Sequence, residues 1–484
     1  MTLADRTVDV VVAGAGYSGL QTARTLVEAG LDVVVLEARD RVGGRVLTEV
    51  TPSGAVVDQG GQWIGPTQDR LQALADEYAV STFPTYLDGS NLEVRDGWVH
   101  PFTGLVPTSD RDGSADTVAT LLDLDLLAQE VSPTHPWDHP DAGALDRITL
   151  AEWVESAADT QTARSLVATA ALAVFGCGPE ELSLLYVLSY AHSGGSMSSL
   201  IRTAGGAQER RFTGGAQQMA LRLAQHLADR IVLDAPVVSV SYGDGGAGEP
   251  AGVTVTAERM GADGVRSPWR VAAQRLVVAM PPAVQGRIAF DPPLPGSRQQ
   301  LAQRAPMGSV TKVHAVYDQP FWRDAGLSGQ VVADAGMLSA IFDDSPEDGS
   351  HGILMGFIAG AVDRSSESDG AAGRQRVCLE ELARAFGPEA ADPIEFVEQR
   401  WSEEPYSRGG PVAGMGPGVL TACGPSLRTP VGPIHWAGTE TASVWSGYIE
   451  GALESGERAA AEVVATLEGA ALTGTAGLDE SSRQ

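Results

Sequence analysis

Three glycines, Gly14, Gly16 and Gly19, with an acid about twenty residues on, Glu37, have the types and spacing to hold a dinucleotide. The glycines form a G-x-G-x-x-G turn in which Ser18 also lies. Small residues let the backbone approach a pyrophosphate, and a helix N-terminus favours its charge by roughly 0.3–1 kcal/mol. Glu37 can accept hydrogen bonds from ribose hydroxyls. The other chemical signal is a single side chain. All 33 basic residues are arginine except Lys312. A lone lysine is either an accident of coding preference or a place that needs a compact, titratable ammonium, for which Arg will not serve.

These residues need elements to position them. Val8 and Val10–Val12 suit a buried strand before the glycine turn. Leu20, Ala23, Leu26 and Val27 share one face of a following helix, which Gly30 is placed to stop. A second apolar strand, Val33–Leu36, ends at Glu37. Arg39, Gly43, Gly44 and Arg45 follow in the run RDRVGGR. Gly60, Gly61 and Trp63 sit in DQGGQWIGP, which reads either as backbone passing close to a ligand or as a hairpin turn. Met307–Tyr317 reads as a strand with Lys312, Val310 and His314 on one face, at a sheet edge or buried for function. Near the end a strand, Ile434–Ala437, runs into Gly438, Thr439 and Glu440, and a helix begins at Ile449 and runs to about Leu467. Strand, glycine, polar turn and helix again form a cradle for a polar or anionic ligand.

Between these lie segments of other character. From Phe83 to Leu200, Pro-, Asp- and Ser-rich connections separate helices, predicting an inserted, mostly helical unit. Strands over Ile231–Leu233, Val237–Val240, Val253–Ala257 and Arg275–Ala279 return to the nucleotide unit, while Leu338–Phe342 and Ile353–Ile358 extend a second sheet. The expected fold is α/β: a Rossmann-type domain from 1–82, 213–297 and 404–468, interleaved with an α+β substrate domain from 83–212 and 298–403. Residues 469–484 read as a flexible tail.

Composition narrows the function. With 484 residues, 43% hydrophobic, the chain can build a sizeable core. It has no run of about eighteen apolar residues and no apolar N-terminal segment, so neither a membrane span nor a signal peptide is expected, and the cytoplasm is the default. A formal charge of −29 argues against nucleic acid as a partner and could draw cationic amines, though it serves solubility equally well. Three cysteines without paired spacing give no disulfide framework. His135 and His139 flank Trp137 without a further ligand, so a surface loop is favoured and no metal is expected.

Taken together, the glycine turn, DRVGGR, GGQWIGPTQDR, GGAQERRFTGG, GSVTK and HWAGTETASVWSGYIEGALESGERAA resemble the flavin-dependent amine oxidases, in their monoamine oxidase branch. The likeness runs from Val8 to about Val464. It implies FAD, held by the residues above with Val237, Trp401 and Ile449. It implies that Lys312 assists reoxidation by oxygen and that Tyr448 faces the amine. Gln208, Trp63 and Ile201 would line the substrate site, and the reaction would turn a primary amine and O2 into aldehyde, ammonia and hydrogen peroxide. In animal members a cysteine tethers the flavin; that position is Gly410 here, so FAD is expected to be non-covalent. The second aromatic wall of the amine site is replaced by Pro411, with Trp445 as a candidate substitute, although packing under the helix is favoured for it. An L-amino acid oxidase using Arg202 or Arg408, a cyclic- or secondary-amine oxidase, and a non-catalytic flavin protein are the alternatives. The oligomeric state stays open, a homodimer being one option.

Overall fold

The computed structural model describes residues 6–243, 252–260 and 264–480, with side chains as far as 469. Its centre is an eight-stranded sheet. The valine-rich strand Arg6–Ala13 pairs in parallel with Val33–Leu36 on one side and with Arg266–Ala279 on the other. Val10, Val11 and Val12 are fully buried, as continuous apolar runs in a sheet covered on both faces should be. Ile231–Val232 extends the sheet past Val33–Leu36, and Ile434–Ala437 pairs with the C-terminal end of Arg266–Ala279. Antiparallel strands Gly252–Met260 and Val237–Gly243 complete it with Ala289–Asp291. The helix Tyr17–Glu28 covers one face, and the C-terminal helix Ile449–Glu480 packs beside it. The tail expected over 469–484 overlaps the end of this helix, and residues 481–484 lie outside the described ones.

A second sheet of seven strands places Val310–Tyr317 between Gly352–Ala359 and Glu395–Arg400, antiparallel to both. All eight residues of the lysine strand are buried, so Lys312 is at no edge. Phe357 and Gln399 are its register partners. The first sheet takes its strands from 6–36, 231–291 and 434–437, and the second from 90–102 and 310–400.

One expectation needs correction. The span 83–200 is helical from Arg111 onward, but Ser90–Arg95 and Trp98–Phe102 form a hairpin at the end of the second sheet. Asn91, Asp96, Gly97 and Pro101 interrupt its alternation, so the pairing shows only in the fold. Among the described residues no helix is long and apolar enough to cross a membrane, and no group of His, Cys, Asp and Glu could hold a metal.

Candidate functional site

A cavity of about 820 Å3 runs from the glycine turn to the second sheet. At its first end Gly14 has φ of +110°, and a Cβ there would stand 2.6 Å from the carbonyl oxygen of Ala279. Gly16 caps the helix with no side-chain hydrogen bond, so its first-turn N–H groups are left for a ligand, and Gly16, Tyr17 and Ser18 border the cavity. Gly19 does not border it; this glycine lets the helix lie against the turn. The Glu37 carboxylate accepts from the backbone N–H of Ala15 (2.7 Å) and of Arg39 (2.9 Å). Each oxygen keeps a lone pair for a ribose hydroxyl. A Cβ-free approach, an uncapped helix end and a carboxylate at the strand end together fit an adenine dinucleotide.

The remaining residues expected there divide by what their side chains do. Ser18 borders the cavity, but its hydroxyl meets that of Ser455 (2.9 Å) and accepts from the N–H of Gly438 (2.8 Å), joining the first and last segments of the sheet. Arg45 makes a bidentate pair with Glu440 (2.6 and 3.0 Å) and donates to the carbonyl of Pro411 (2.7 Å). Glu440 stands behind Arg45 and off the wall. Arg39 donates to Ser407 Oγ (2.8 Å) beside Glu404 and under Tyr406. Gly43, Gly44, Gly60, Gly61, Val237, Trp401, Gly438, Thr439 and Ile449 all border the cavity. Trp401 is fixed by its indole N–H on the carbonyl of Gln59 (2.8 Å).

At the far end the fold unites Lys312 with Tyr448, Trp63, Gln208, Ile201 and Pro411. Lys312 Nζ donates to the carbonyls of Asp58 (2.5 Å) and Gly60 (3.0 Å) and to Gln62 Oε1. Burial pushes the ammonium down to about 8, against the pull of Asp344 and Asp58. Tyr448 packs edge-on to Trp445 (5.0 Å) and tilted to Tyr190 (6.4 Å), and burial holds its phenol protonated. Trp63 meets Phe342 edge-on at 5.2 Å. Gln208 donates to the carbonyl of Leu200 (2.8 Å), and its Oε1 is buried without a partner. An unpaired acceptor of that kind calls for an N–H donor in the cavity.

Trp445 is the exception among the substrate-side residues. It lies behind Tyr448, buried, with its indole N–H on Thr67 Oγ1 (3.0 Å), and does not border the cavity. Tyr190, which no motif marks, adds an aromatic ring to the cavity wall from an ordinary helix, Leu184–Ser193. Phe342 and Phe357 also border the cavity, on strands with no motif around them. Gln62 and Arg211 stand inside GGQWIGPTQDR and GGAQERRFTGG, yet nothing local marks them as partners of Lys312 or Asp344.

A family model of flavin containing amine oxidoreductase matches residues 17–464. The chain is 41% identical over 461 residues to the putative flavin-containing monoamine oxidase AofH of Mycobacterium tuberculosis, covering 95% of this chain and 97% of that one. A solved triple mutant of putrescine oxidase superposes with TM-score 0.89 at 35% identity, over 96% of this chain and 100% of the other. Cyclohexylamine oxidase from Brevibacterium oxydans superposes with TM-score 0.88 at 35% identity, over 95% and 99%. The doubly wound cradle, the buried lysine opposite it and these matches over nearly the whole length make this chain a member of the flavin-containing amine oxidoreductase family, FAD-dependent enzymes that oxidise amines.

Proposed function

We propose that this protein oxidises primary monoamines with apolar bodies, using FAD held without a covalent bond and O2 as the electron acceptor. Bound FAD supplies the two-electron acceptor for the amine. The reading is carried by the substrate arm of the cavity. Its wall is built from side chains such as Leu121, Leu166, Ala173, Val174, Ile201 and Phe342. The charged residues on the wall, Glu37, Arg39, Arg45, Glu258, Arg266 and Arg287, come from segments of the first-sheet half, with Lys312 the exception among the described residues.

An apolar arm disfavours the ammonium form of a substrate, and only the neutral amine can give up hydride from the adjacent carbon. In this reading the unpartnered Gln208 Oε1 accepts one amine N–H, and Tyr448 offers its ring to the same cavity. A second ammonium or a carboxylate in the arm would be buried without a partner. Arg202 and Arg408, the candidates for pairing an amino acid carboxylate, do not border the cavity.

A peroxide-coupled assay with 2-phenylethylamine, cyclohexylamine, putrescine and L-phenylalanine checks this. The first two are expected to exceed the last two in kcat/KM by about 10²-fold or more, the scale of leaving one buried ionised group uncompensated. Putrescine turned over as well as the monoamines would overturn the apolar reading.

Non-covalent attachment has its own support. The three cysteines, Cys177, Cys378 and Cys423, are buried and none borders the cavity, while Gly410 does. On acid denaturation and filtration the yellow colour is expected to leave the polypeptide. Colour retained by the chain would show a tether.

A further inference from the structure

Lys312 has three N–H donors, and the fold takes all of them. Two acceptors, the carbonyls of Asp58 and Gly60, belong to backbone and cannot turn. The third is the Gln62 side chain, whose Nε2 donates onward to Asp344 Oδ1 (2.6 Å). Arg211 donates to that same oxygen, to the Asp344 carbonyl (2.6 Å) and to the Ser345 carbonyl. His314 Nε2 stands 3.6 Å from Asp344 Oδ2, and neither ring nitrogen has a hydrogen-bond partner. Gln62, Arg211, Lys312, His314 and Asp344 are each more than nine-tenths buried.

Two carboxylates lie within reach of the ammonium, and only one is joined to it by donors. The Asp58 carboxylate faces the other way, accepting from Thr48 Oγ1 (2.5 Å) and the N–H of Ala216 (3.1 Å). The Asp344 carboxylate continues the chain Lys312–Gln62–Asp344. We propose that Asp344 is a positioning residue for Lys312: through the Gln62 amide, and braced by Arg211, it sets where the ammonium points and keeps it charged at the cavity wall. The inference rests on the reading of Lys312 as the oxygen-side residue, but its test does not use turnover.

Charge balance gives the direction. Facing Lys312 are Asp344 and Asp58 as acids, Arg211 as a cation and His314, which burial and Lys312 hold neutral, down to about 3. Its strand partners Phe357 and Gln399 carry no charge. Burial alone would raise the Asp344 carboxyl; Arg211 and Lys312 bring it below its ordinary value, so it is an anion at neutral pH. Neutralising Asp344 leaves two cations against Asp58 in a dry region, which favours loss of the lysine proton.

Because Lys312 is the chain's only lysine, protein grown on 13C-labelled lysine gives one side-chain signal from the full-length, flavin-loaded protein. Its pH titration, read without substrate, is the test. Asp344→Asn is expected to move the midpoint down by about one pH unit or more. Gln62→Met, which keeps both charges and cuts the bridge, is expected to move it down by less, and it carries the test should the Asp344 variant not fold. A midpoint unmoved from wild type in the variant that folds would overturn the assignment. Failure of the amine reading would show as absent turnover with this shift intact.

Discussion

Lys312→Met is expected to slow the reaction of the reduced protein with oxygen by about a hundredfold, while reduction by amine changes by less than about tenfold. The ammonium is the one charge that the second sheet brings to the cavity among the described residues. Oxygen becomes negative as it is reduced, and a fixed cation in a dry wall stabilises that charge without reorganising. Methionine keeps most of the stem volume and removes the charge, so the effect reports electrostatics rather than packing. The pH profile gives a second signature. Burial holds this ammonium at about 8, so the oxygen rate of the wild type should fall as pH rises through that value. The methionine variant should be flat over the same range. Rapid mixing of reduced protein with oxygenated buffer, followed by the return of the yellow colour, measures both. An unchanged rate, or a pH dependence that survives the substitution, would remove Lys312 from this role.

Gly19→Ala is expected to weaken flavin retention by about tenfold or more and to destabilise the fold by about 1–3 kcal/mol. A Cβ at this position would stand 1.9 Å from the Gly14 carbonyl oxygen and 3.3 Å from Ala279 Cβ. The obstacle is backbone, so the helix must lift from the glycine turn, and its uncapped N–H groups move with it. Gly30→Ala is the control. Nothing lies within 4 Å of that position, and only its φ of +85° opposes a side chain, at about 1 kcal/mol. It should lose some stability and keep its flavin. Gel filtration with absorbance at the flavin band, together with thermal unfolding, separates the two effects. Flavin retained in full by the Gly19 variant would mean that the turn tolerates displacement.

The parts legible in the chain are those where local covalent geometry leaves little choice. The valine run, the glycine turn and the strand ending at Glu37 are each specified by neighbours within a few residues, and the observed strand Val33–Leu36 has the expected ends. The same holds for Ile434–Ala437 and the start of the helix at Ile449. Lys312 stood out by composition alone, because a chain that uses arginine everywhere else kept one lysine. The sequence left open whether that lysine was exposed; its place between two antiparallel neighbours decided it.

Other features required the folded chain. Trp445 and Tyr448 are three residues apart in one motif, yet one faces the cavity and the other packs behind it on Thr67. Ser18 sits in the glycine turn, but its hydroxyl is committed to a residue 437 positions away. Lys312 and Gln62 are separated by 250 positions, and Gln62 and Asp344 by 282. Periodicity and backbone preference act over one turn or one strand, so the sequence by itself determined the cradle and the lysine strand, and the class of chemistry followed from the resemblance of its motifs to a known family. Which side chains share a hydrogen bond or a wall depends on how two interleaved sheets are docked. That docking alone decided the partners of Lys312, the walls of the cavity and the place of Asp344 beside Gln62 and Arg211.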